Sequence, residues 1–165
     1  MDVHVDWTKK RTTFKVKGKT LLAVKKNLGP EAKWGRFDPM DLSSKLTLDK
    51  DKMVTDVKLF AGYTIAMPVW TDYTKAPARC KAEWDRMWKA LEKHELGHAG
   101  FLVEGVVMLQ LAIQEKEPGT ISKEAFDALR DEHAVDLEKA DKEFEIETDH
   151  GRKRGVTLDI PDECM

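Results

Sequence analysis

The 165-residue chain has only two cysteines, Cys80 and Cys164, too few for a disulfide framework to replace a hydrophobic core. They can form one bridge that holds the extreme C-terminus against a helix, or stay free in a reducing compartment. An excess charge of one sign is also missing. The 28 Lys plus Arg stand against 30 Asp plus Glu, for a net charge of -2, which leaves no field for a polyanion and excludes a nucleic-acid partner. The short cluster Arg152-Lys153-Arg154 reads as a solvated turn. No stretch approaches the roughly 20 apolar residues of a membrane-spanning helix. The opening Met1-Asp2-Val3-His4-Val5-Asp6 places acids where a signal peptide needs basic and apolar segments, so no signal peptide is expected in this chain. Ser43, Ser44 and Ser122 have no histidine-carboxylate arrangement beside them, which argues against a serine nucleophile. The glycines at 97, 100 and 105 follow no predicted strand and lack a Lys-Ser/Thr terminus, so they form no phosphate loop.

What is present is a core-forming composition, 41% apolar and 35% charged, in a length that suits one domain over residues 1–165. Residues 1–70 read as strands and turns, and residues 77–147 as helix. Phe14-Lys15-Val16-Lys17 alternates as a half-buried strand should. Residues 20–28 suit a short helix ended by Gly29-Pro30, and Trp34, Phe37 and Leu42 then plug the core from a loop. Residues 46–59 alternate on both sides of a charged turn and predict a hairpin. Asp49, Asp51 and Asp56 lack the glycine-centred, helix-flanked loop of a calcium site. Residues 63–68 are extended, with Pro68 placed at a strand end or edge.

From Pro77 the period changes. Cys80, Trp84, Met87, Leu91, His94, His98, Leu102, Gly105, Leu109 and Ile113 recur every three or four residues. Uninterrupted, that helix would be about 57 Å long. Its glycines offer either a break or the close approach of another backbone. Ser122 can cap a second long helix carrying Phe126, Leu129, His133, Leu137, Ala140 and Phe144 on one stripe, and Val156, Leu158 and Ile160 suggest a short terminal strand.

Chemistry concentrates in His94-Glu95-Leu96-Gly97-His98. Two histidines four apart on a helix share a face and can converge on one ion. Glu95, rotated by about 100 degrees from His94, is free to take a proton from an attacking water. The pattern points to zinc-dependent hydrolysis of peptide bonds, with Glu95 as general base and a peptide or protein as substrate; the alternative is a zinc-containing binding or effector domain without catalysis. Two histidines leave a catalytic zinc one protein ligand short. The candidates are His150, His133, Glu124 and Glu138, and the helix end before Gly151 favours His150, because a turn there can aim its ring back into a cleft. Trp70, Trp84 and Trp88 read as packing around the helix.

These residues resemble a known family. Leu28-Gly29-Pro30, Trp34-Gly35-Arg36-Phe37, residues 65–70 (Ile-Ala-Met-Pro-Val-Trp), Trp88, the zinc motif and Thr148-Asp149-His150-Gly151 are similar to the bacterial secreted Zn-dependent proteases grouped as DUF922. The resemblance implies an α+β, zincin-like metalloprotease with a mostly antiparallel N-terminal sheet and two long C-terminal helices. It implies Zn2+ held by His94, His98 and His150, Glu95 as the catalytic glutamate, and a secreted or periplasmic location. The chain departs from the family where Phe144-Glu145 replaces a Tyr-Asp pair, which removes a hydroxyl that could hold an oxyanion.

Overall fold

In a computed structural model describing residues 1–30 and 33–165, the chain is an α+β protein, a four-stranded mixed sheet followed by long helices. Its strands are β1 (Asp2–Val16), β2 (Arg36–Pro39), β3 (Ser43–Leu48) and β4 (Val54–Trp70), and its helices are α1 (Leu21–Leu28), α2 (Ala78–Gln114) and α3 (Lys123–Thr148). The sheet order is β1-β4-β2, with β3 also paired to β4.

Local chemistry accounts for most boundaries. The Thr20 side chain caps α1 by accepting from the Ala23 N–H, and Gly29 ends it at φ 74, as the Gly-Pro signal predicts. The predicted hairpin is β3 and β4, antiparallel from Ser43↔Phe60 to Leu48↔Val54, with an irregularity at Thr47/Leu48. The Asp49 carboxylate closes its turn by accepting from the N–H groups of Asp51 and Met53. Ser122 caps α3 through the Ala125 N–H, as expected. The glycines do not break α2, which runs 37 residues.

Two expectations are revised. The tail forms no strand: Val156 and Leu158 are buried, but side chains take its backbone groups before a ladder can form. Arg86 donates to the carbonyls of Gly155 and Thr157, Lys25 donates to that of Leu158, and the Asp159 N–H donates to Glu83. Helix α2 also contains an 18-residue window of mean hydropathy 1.6, of which 33% is buried. By length and composition alone that helix passes for a membrane span, and a helix lining a protein core passes the same test, so in place of no apolar stretch there is one, which is weak evidence for a membrane span.

The chain forms two compact units, neither of them contiguous in sequence. The first comprises Met1–Lys10, Pro39–Tyr63 and Ala99–Lys142. Its core is Val54, Val57, Leu59, Leu109, Ile113 and Phe126, flanked by Val3, Val5, Leu46 and Leu129. Gly105 lies so close to the Leu137 side chain that a Cβ there would overlap it; the neighbour is a side chain, not the backbone that the sequence suggested.

The second unit comprises Arg11–Asp38, Thr64–His98 and Glu143–Met165. Leu21, Val24, Trp34, Met67, Met87, Leu91 and Leu158 are almost wholly buried in it. Its tryptophans keep their polar edge satisfied, since the indole N–H groups of Trp34, Trp70 and Trp88 donate to the carbonyls of Gly29, Gly18 and Pro68. Pro68 sits near the end of β4. Cys80 and Cys164 are bridged, with Cα atoms 5.7 Å apart across a sequence separation of 84. Closing a loop of that length constrains the unfolded chain, so Cys80→Ser should lower stability by about 4 kcal/mol. Denaturant unfolding of the variant beside wild type measures this; equal stabilities would show that the bridge carries no load.

Candidate metal centre

The second unit holds the whole His94-Glu95-Leu96-Gly97-His98 motif. On α2, His94, Glu95 and His98 are all buried, at 4%, 5% and 4% exposure. Burying three such groups together is costly unless they satisfy one another or a ligand. The two imidazoles face each other with Nε2 atoms 3.3 Å apart. Glu145, near the end of α3, completes the set: its Oε1 lies 2.8 Å from His98 Nε2 and 3.4 Å from His94 Nε2. The ligand atoms of His94, His98 and Glu145 all fall within 4.8 Å of one another.

That spacing suits a metal. Ligands at about 2.0–2.2 Å around a tetrahedral zinc stand about 3.4 Å from each other, near the separations found between these donors. Burial is the largest influence on His94, followed by the neighbouring His98, and together they hold its imidazole below the ordinary 6.5; Glu145 pulls it the other way. A neutral imidazole at neutral pH is the form that ligates. Glu145 Oε2 is buried without a hydrogen bond, although His150 Nδ1 stands 2.5 Å away at ion-pair distance. The residues present therefore fit a divalent metal.

Aromatic rings and glycine backbones fix the donors. Phe144 stacks on His94 at 5.1 Å and meets His98 edge-on at 4.9 Å, and Phe37 of β2 stacks on His98 at 5.5 Å. A Cβ at Gly97 would stand 2.5 Å from the Phe144 ring, so that glycine lets α3 close on α2. A Cβ at Gly35 would overlap Oε1 of Glu95, which places the turn before β2 directly against the proposed base.

Of the four residues proposed from sequence, His94, Glu95 and His98 come together as the helical spacing requires. His150 lies at the edge of the set, 54% exposed, with its Nδ1 on Glu145 rather than among the three converging donors. Both Asp149 and His150 have positive φ, at 50° and 53°, as the chain turns out of α3 towards Gly151. The other sequence candidates lie outside the donor set: Glu138 pairs with Lys142, Glu124 is exposed in the first turn of α3 beside Ser122, and His133 is half-buried on the part of α3 that belongs to the first unit. Sequence reasoning passed over Glu145 as a ligand. It sits beside the buried Phe144, and only the packing of that ring on both histidines reveals which way its neighbour faces.

An α+β fold with a His-Glu-x-x-His helix and a converging His-His-carboxylate donor set defines a candidate metalloprotein. The family profile described as "Bacterial protein of unknown function (DUF922)" matches residues 11–151, and the chain belongs to that family. No curated protein and no solved structure matches it.

Proposed function

We propose that the chain is a zinc-dependent peptidase in which His94, His98 and Glu145 hold the metal and Glu95 is the general base. The observation that carries this reading is the convergence of three donors beside a buried glutamate of the same helix. Zinc, when bound, supplies Lewis acidity towards a peptide carbonyl and acidifies water. The chain's own residues supply the rest. Glu95 takes the proton of the attacking water at its carboxylate and passes it to the departing amine. Gly35 leaves room for that carboxylate, and Phe37 and Phe144 hold the imidazoles in place and exclude water from their flanks. His150, at Oε2 of Glu145, orients the carboxylate as an outer partner; this differs from the resemblance, which makes His150 the third ligand. The zincin-like character of the fold and secretion belong to the same proposal, and a bridged Cys80–Cys164 pair suits an oxidising compartment.

Protein purified without added metal should carry one zinc per chain by elemental analysis. A value near zero that added zinc does not raise would sink the reading and leave a protein that binds no metal.

A further inference from the structure

One cation beside the donor set has no acidic partner among the described residues. The segment Arg152–Arg154 is a one-turn 3-10 helix between two left-handed glycines, Gly151 at φ 82 and Gly155 at φ 89. It is fastened at both ends to α2. A Cβ on Gly151 would stand 3.1 Å from His94 Cγ, so the turn starts in contact with a donor ring. At its other end Arg86 donates to the Gly155 carbonyl at 3.0 Å, and within the turn the Arg154 N–H donates to the Gly151 carbonyl at 2.8 Å. The backbone at Arg154 is thus held on both sides. Its guanidinium lies over the Phe144 ring, Cζ 4.8 Å from the centroid, and that ring packs on both His94 and His98. Arg152 reaches Asp149, whereas Arg154 makes no ion pair among the described residues, although it is exposed and open to a ligand.

We propose that Arg154 recognises a carboxylate on the substrate next to the donor set, so that the site selects peptides carrying a free C-terminal carboxylate or an acidic side chain beside the bound peptide group. The proposal rests on the peptidase reading for the nature of the ligand and on the placement of Arg154 for its charge. A guanidinium lying on an aromatic face keeps its N–H edge free, and that fork matches the two oxygens of a carboxylate. Lysine would keep the charge and lose the fork.

The test is equilibrium binding by calorimetry to zinc-loaded Glu95→Gln protein, in which slow cleavage does not disturb the measurement. The probes are N-acetyl-trialanine as its free acid, the same peptide as its C-terminal amide, and N-acetyl-Ala-Glu-Ala amide. At least one carboxylate-bearing probe should bind about 10- to 100-fold more tightly than the trialanine amide. Which one does so identifies the source of the carboxylate. Adding Arg154→Gln should abolish that preference with zinc content and far-UV circular dichroism unchanged, and Arg154→Lys should restore part of it. The same preference in Arg154→Gln, equal affinities for all three probes, or no saturation by about 10 mM would each overturn the proposal. If the carboxylate preference depends on Arg154 while wild-type protein cleaves no peptide, the anion site stands and the peptidase reading fails.

Discussion

Glu95→Gln should retain the fold and most of the zinc and lose hydrolysis by about 10²- to 10⁴-fold, the usual worth of a positioned general acid-base. The substitution keeps size and hydrogen-bonding reach, so Gly35 still fits against the side chain and the core around Leu91 is undisturbed. What it removes is the site that accepts a proton. Glu95 is not one of the three converging donors, and that separates its role from metal binding. Wild type and variant should be compared on a broad peptide library, with zinc measured in both samples. Identical product profiles from two zinc-loaded proteins would mean that the cleavage is contamination or does not use Glu95. Phe144 brings no hydroxyl to the site, so under the peptidase reading a donor other than this side chain would be needed to stabilise an oxyanion.

Zinc affinity should fall by well over 100-fold in Glu145→Gln and by about 10- to 100-fold in His150→Ala, because an outer partner tunes a ligand while a ligand makes the bond. His98→Ala should fall with the first group. The order follows from geometry: Glu145 Oε1 stands within 3.4 Å of both histidine donors, and His150 reaches only its second oxygen. Competition with a chromogenic chelator measures all three variants on one scale. The reverse order, with His150→Ala the more damaging, would restore His150 as the third ligand and make Glu145 its partner. Stabilities need measuring alongside, since His94 and His98 carry Phe144 and Phe37 against them and truncation of His98 also opens the core.

The sequence by itself determined the elements and the two-histidine pair. Cap and breaker residues at Thr20, Gly29 and Ser122 act within a few residues, and the three- and four-residue recurrence of apolar side chains marks α2 as one stripe. His94, Glu95 and His98 were legible for the same reason: residues four apart on one helix face the same way whatever packs against them. Short-range rules stop where the chain meets distant segments. Nothing near Glu145 marks it as a donor, and nothing near Arg154 distinguishes it from Arg152 and Lys153. The alternation of Val156, Leu158 and Ile160 could not show that Arg86, Lys25 and Glu83 would take the tail's backbone groups. Tertiary structure decided these because contacts over more than 45 residues, Phe144 on His94 and Gly151 against His94 among them, depend on which surfaces bury together, and no local periodicity encodes that pairing.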